Sequence, residues 1–174
     1  FATGGVCLMK KIVALLFLCI CSVFSVFGAT VSVQIAEINN PQGKTSDLSY
    51  ILEDALLEYF FTRGVILSTS PVICNSQDLE KDFDNTIQES CMGQVDYLIL
   101  LEVFFDISQS LSPEQPRLTN VKEIKWSLYL PDTEEKIAYG SKNTPKTSKN
   151  HDAREDISSF GYQLAEEIEK SIIR

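Results

Sequence analysis

The chain has 174 residues, 44% of them hydrophobic and 22% charged, with a formal charge of −9. That length suits one domain that buries its own core without a metal or a dense disulfide framework. The acidic balance excludes binding of nucleic acid or of an anionic membrane surface by bulk electrostatics.

Met9 has the context of a start, followed by Lys10 and Lys11 and by the apolar run from Ile12 to Val26. This is the pattern of a signal peptide. Gly28, with Val26 two positions before it, fits the small-residue rule for cleavage, and cleavage after Ala29 is the near alternative. The reading is therefore residues 1–28 as upstream sequence and signal peptide, and 29–174 as a single periplasmic α/β domain. Two rivals stay open: retention as an N-terminal anchor, and a lipoprotein signal at Cys19 or Cys21. The lipobox is poor, because Leu18 and Ile20 stand where a small residue belongs. Cleavage removes Lys10 and Lys11 from the 15 basic residues and none of the 24 acidic ones, so the formal charge moves from −9 to −11.

Thr30 to Ile38 alternates, with Val31, Val33 and Ile35 on one face, and predicts a strand with one wet face or a modest second core. Asn39 to Lys44 is turn chemistry. From Ser46, a good N-cap, Leu48, Ile51, Leu52, Ala55, Leu56, Tyr59 and Phe60 fall on one helical face. Gly64 is placed to close that helix in the left-handed conformation. Val65 to Ile73 then predicts a mostly buried strand, with Pro71 ending it near Ser70 or bulging it. Leu79, Phe83 and Ile87 predict a second helix over Ser76 to Ser90.

Of the cysteines, Cys74 and Cys91 survive processing. An even count in an oxidising compartment suggests one disulfide, which would close a loop of about 18 residues and stabilise the fold by about 3 kcal/mol. The predicted helix puts its ends about 20 Å apart, whereas a bridge needs Cα atoms within about 7 Å. The two readings conflict, and both are carried forward, as is that of two separate thiols.

Val95 to Ile107 is the most apolar run of the domain, and Leu98 to Leu101 predicts a central strand buried on both faces. Ser108 to Asn120 is a polar loop. Val121 to Leu130 alternates cleanly, Pro131 to Glu135 makes a hairpin turn, and Lys136 to Gly140 starts the return strand. Ser141 to Asn150 reads as an exposed loop. Asp152 to Ile173 carries the apolar stripe Ile157, Phe160, Leu164, Ala165, Ile168 and Ile172 of a last helix. The fold class is α/β of mixed α+β character: a mixed sheet in the order β-α-β-α-β-β-β-α, with helices packed on it, behind a signal peptide.

No convergent chemistry emerges from this pattern. His151 is the single histidine, and neither a G-x-S-x-G elbow nor a Gly-rich phosphate loop occurs. Two cysteines and one histidine are too few soft ligands for zinc. Asp78, Glu80, Asp82 and Asp84 lack the register of a calcium loop. Asp96 and Glu102 flank the buried strand as solvated carboxylates. No catalytic, metal or cofactor site is assigned, and no cofactor is expected. Phe61, Phe104 and Phe105 exceed what their elements can bury and are the candidate partner surface.

The helix from Asp47 to Gly64 leading into Val65-Ile66-Leu67-Ser68, with Val95-Asp96-Tyr97-Leu98-Ile99-Leu100 as the next strand, resembles a known bacterial group. It is similar to the periplasmic α/β domains of penicillin-binding-protein activator lipoproteins, of CsgG-like proteins and of TolB N-terminal domains. The resemblance implies an exported, non-enzymatic envelope module that acts through contact with another envelope protein, with the membrane engaged only through the signal or a lipid anchor. It transfers no functional residue and leaves the oligomeric state open. A periplasmic small-molecule or glycan-binding protein is the alternative, and an envelope hydrolase a third.

Overall fold

A computed structural model describes residues 28–106, 117–146 and 152–172. The export segment with Cys19 and Cys21, and also His151, lie outside the described residues. The elements are β1 (Thr30–Ile38), α1 (Asp47–Phe61), β2 (Ile66–Thr69), β3 (Ile73–Cys74), α2 (Leu79–Met92), β4 (Tyr97–Phe105), β5 (Val121–Leu130), β6 (Glu135–Asn143) and α3 (Ala153–Ile172). A short 3-10 turn, Leu118–Asn120, precedes β5.

The six strands form one mixed sheet in the order β2-β1-β4-β5-β6, with β3 also on β1. β1 is parallel to β2, β3 and β4, while β5 and β6 add antiparallel. The chain leaves β1 through α1 to one side and reaches β4 through α2 on the other. Right-handed crossovers taken in opposite directions place their helices on opposite faces. α1 and α3 cover the larger core, where Val33, Ile35, Ile99, Leu101, Trp126 and Leu128 meet Leu52, Leu56, Phe60, Ile157 and Leu164. α2 covers a small second core of Ile87, Leu98 and Leu100, flanked by Phe83 and Tyr129. Leu98 to Leu101 is at most 2% exposed, as a central strand requires.

Two expectations are corrected, and of the two readings of β1 the modest second core holds. β1 has no wet face: Ser32 and Gln34 are buried. Gln34 donates through Nε2 to the Pro71 carbonyl (2.7 Å), and its Oε1 accepts from the Thr86 hydroxyl on α2 (3.3 Å). The run from Val65 to Ile73 is an outer strand in two pieces, not a mostly buried one. β2 pairs with Thr30–Val33 and β3 with Ala36–Glu37, and the break falls at Pro71, which has no N–H to give. The return strand β6 runs on to Asn143, because Ser141 and Asn143 still find partners in Lys125 and Glu123.

The disulfide is corrected as well: Cys74 and Cys91 are free thiols. Cys74 lies on β3, and Cys91 lies in the last turn of α2. The helix between them is about 21 Å long at 1.5 Å per residue, so the helical reading prevails over the bridge.

α1 and α2 close in the same way. Ser46 caps α1 by accepting from the Leu48 N–H. At its other end Gly64 takes φ +76 and the Val65 N–H returns to the Phe60 carbonyl (3.1 Å). α2 ends with Gln94 at φ +54 and the Val95 N–H on the Ser90 carbonyl (3.1 Å). Both are left-handed closures that turn a helix straight into a strand. Asp96 follows the second closure. Its Oδ2 accepts from the Thr30 N–H and the Thr30 hydroxyl, each at 2.7 Å, and so clips the starts of β4 and β1 together. The Thr30 backbone N–H, and then the hydroxyl, hold the Asp96 carboxyl below the usual carboxylate range.

α1 and α3 touch closely at Gly161, where a side chain would lie 2.7 Å from the Ala55 methyl. Tyr59 donates to Glu169 (2.7 Å), and Arg63 pairs with the same carboxylate (3.1 Å) while lying over the Tyr59 ring. Burial, with the Glu169 hydrogen bond and charge, pushes the Tyr59 hydroxyl up to about 12.

Two stability changes follow. Gln94→Gly relieves a left-handed non-glycine residue and raises unfolding stability by about 1 kcal/mol, measurable in a urea melt. Asp96→Ala removes the clip and lowers stability by about 1 kcal/mol at neutral pH. A depressed carboxyl contributes above its unfolded pKa and loses that contribution as pH falls through its folded one. The gap between wild type and variant therefore closes in acid, below about pH 4, and denaturant melts against pH read this directly.

Candidate functional site

In open parallel sheets, ligands sit beyond the carboxyl ends of the strands. Beyond β1 that place is filled from within, while beyond β4 Asp106 lines an open cleft. Glu37, at the end of β1, is 1% exposed. Its Oε1 accepts from the Ser46 N–H (2.9 Å) and the Ser49 hydroxyl (2.6 Å), and its Oε2 accepts from the Asn40 amide. Asn40 and Asn75 bond one another reciprocally, Asn40 N–H to Asn75 Oδ1 (2.8 Å) and Asn75 Nδ2 to the Asn40 carbonyl (2.6 Å). Cys74 lies against this cluster, and burial, followed by the Glu37 carboxylate, pushes its thiol up. Such a thiol stays protonated and is a poor nucleophile. Both carboxylate oxygens of Glu37 are engaged, so the cluster fastens β1, α1 and β3 instead of offering a catalytic acid.

The open surface lies elsewhere. α2 lies over β1 and β4 and reaches β5 only at Tyr129, so among the described residues the rest of that face of β5 and β6 carries no helix. Phe104, Lys125, Ser127 and Tyr129 are half-buried there, and Tyr139 is 79% exposed. Lys125 Nζ sits 4.6 Å from the Phe104 ring centre and Lys136 Nζ 5.3 Å from that of Tyr129. These contacts lay the lysine stems on the sheet and keep their charges outward. Arg117, Lys122, Lys125, Lys136, Lys142 and Lys146 gather in this part of the chain, against Glu123, Asp132, Glu134 and Glu135. An aromatic strip bearing Lys125 and Lys136 thus marks one side of the molecule, with Lys125 paired to Glu123 (3.6 Å), while Lys142 belongs to the opposite face and pairs with Glu167 (3.9 Å).

β6 is also an end strand, and its outer main-chain groups have no partner strand in the sheet. A bulge at Leu128–Tyr129 disturbs its lower end, while Ala138 to Asn143 stays in regular register with Glu123 to Leu128. The Trp126 ring packs under this stretch at Gly140, where a side chain would come within 2.6 Å of the indole. At the upper end of the strand two adjoining clefts, of about 660 and 340 Å³, share Asn143, Thr144 and Pro145. Lys122 and Lys146 line the first, and Lys142, Ser159 and Gln163 the second.

The three predicted partner-surface residues are not brought together. Phe61, at the end of α1, is 79% exposed, and Phe104 is half-buried on the strip. Phe105 belongs to the main core at 6% exposure and is removed from the surface set. Asp96 is the clip on Thr30. Asp78 caps α2 through the Lys81 N–H (3.3 Å), and Asp82 accepts from the Ser76 hydroxyl. No group of three or more metal-ligating side chains occurs among the described residues. No helix among them is long and apolar enough to cross a membrane. Tyr139 and the end strand were not singled out by sequence. The signal was present in Tyr139 as the single aromatic of the return strand.

The fold is that of a mixed α/β domain with one partly uncovered sheet face. The family model described as "Uncharacterised protein" matches residues 29–173, and the chain belongs to that family. No curated protein matches it. Among solved structures it is similar to a PelC dodecamer from Paraburkholderia phytofirmans, with 13% identity, 83% of this chain and 88% of that one covered, and a TM-score of 0.48. TolB from Acinetobacter baumannii gives 10% identity, 83% and 28% coverage and a TM-score of 0.43. The lipoprotein GNA1162 from Neisseria meningitidis gives 12%, 83% and 98%, and 0.40.

Glu37→Ala leaves the Ser46 N–H and the Asn40 amide without their acceptor and costs about 2–4 kcal/mol. A urea melt checks this.

Proposed function

We propose that the protein is an exported, non-enzymatic cell-envelope module that binds another protein along the β5–β6 side of its sheet. The observation that carries this reading is the strip of Phe104, Lys125, Tyr129 and Tyr139 beside an end strand whose outer edge has no partner strand among the described residues. Such an edge accepts an extended segment of a partner by strand addition. The main chain supplies affinity, and alternate side chains supply specificity. The lysines beside it favour an acidic partner segment and speed its encounter. The signal-like run Ile12 to Val26 supports a place outside the cytoplasm.

The second reading, a small-molecule binder, is favoured by the clefts at Asn143, Thr144 and Pro145, whose lining mixes lysines with hydroxyl and amide groups. One experiment separates the two. A photo-crosslinking residue is placed at Tyr139 or, as control, at Glu166 on the outer side of α3, in cells that make the full chain. The strip reading expects a discrete protein adduct from position 139 and none from 166. Absence of an adduct at 139, together with a melting-temperature rise produced by one metabolite class, replaces it with the cleft reading.

A further inference from the structure

The opposite end of the sheet, where β1, β2 and β4 begin, has a different character. Residues 28–30 enter the fold between the closures of α1 and α2. The Ala29 carbonyl accepts from the Ile66 N–H (3.0 Å), Gly28 packs on the Gly64 carbonyl, and the Thr30 hydroxyl donates to the Gln94 carbonyl (3.5 Å). Around this entry point stand three large apolar side chains in the open: Phe61 at 79%, Ile66 at 65% and Met92 at 77% exposure. They come from three separate elements, the end of α1, the start of β2 and the end of α2. In the sequence, the apolar run Ile12 to Val26 stops just short of the same point.

We infer that, with the apolar run retained as the N-terminal anchor left open above, this end of the molecule rests on a lipid surface, with Phe61, Ile66 and Met92 dipping among the acyl chains around the place where the chain leads back to that run. Three isolated tips do not make the roughly 800 Å² per partner of a stable protein interface. A fluid bilayer needs no matching shape and takes protruding apolar groups one by one. The domain is acidic, so the contact is apolar rather than electrostatic, and it suits zwitterionic lipid. This surface is separate from the β5–β6 strip and points away from the far end of β4 where Phe104 lies.

The test uses the full chain synthesised into phosphatidylcholine vesicles whose acyl chains carry bromine, which quenches tryptophan on contact. Phe61→Trp and Met92→Trp are compared with Tyr139→Trp, the native Trp126 being buried in all three. Quenching several-fold stronger at 61 and 92 than at 139, and unchanged between low and high salt, is the expected result. Equal quenching at the three positions, or none at 61 and 92, overturns the inference. So does a concentration-dependent dimer, formed without vesicles, that shields position 61 from an aqueous quencher.

Discussion

The fold turns on one buried carboxylate. Glu37 stands where the last residues of β1 meet the first turn of α1, and it accepts from the backbone N–H and the hydroxyl that start that helix. A buried carboxyl group is tolerated in such a place only when hydrogen-bond partners surround it. Asn40 supplies another, and through its exchange with Asn75 the same group of side chains fixes β3. Helix, central strand and outer strand are thereby held at one point. Beyond β1, the place where a doubly wound sheet ordinarily receives its ligand is occupied by the protein's own residues. Asp96 does the corresponding work at the other end of the sheet, where it ties β4 to β1.

With both ends of the central strands fastened, the variable part of the molecule is its cover. Two helices share one face, and a single short helix serves the other. The second core is small because β1 offers Ser32 and Gln34 to that side, so α2 is held by the hydrogen bond that the Thr86 hydroxyl donates to Gln34 as well as by Ile87. The helix does not extend over β5 and β6, whose outward residues are lysines and aromatics suited to a partly wet surface.

The sequence was informative wherever one face of an element was apolar. α1 was legible in full, since its stripe, its Ser46 cap and its Gly64 closure all pointed one way. Leu98 to Leu101 could only be central. The Val-Asp-Tyr start of that strand was legible as a resemblance, and its physical meaning, a carboxylate gripping Thr30, required three dimensions. What failed was burial of polar residues. Gln34 occupies a position that alternation assigns to solvent, Glu37 puts a carboxylate in line with Val31, Val33 and Ile35, and a single chain gives no sign that donors arrive from Ser46, Asn40 and Thr86. β6 was cut short because Ser141 and Asn143 have weak strand preference and are held by pairing with β5. The cysteine pair was misleading for a reason available beforehand, since the rise per residue of the helix between them already forbade a bridge.

Pro71 has a consequence for assembly. By splitting one border of the sheet into two short pieces and removing an amide from it, the proline denies incoming chains a continuous template there. Gln34 then fills the break from inside. The opposite border has no such stop over Ala138 to Asn143. Any lengthening of this sheet by a visiting segment is therefore one-sided, and a contact that can start from only one border forms a capped pair, not a fibre.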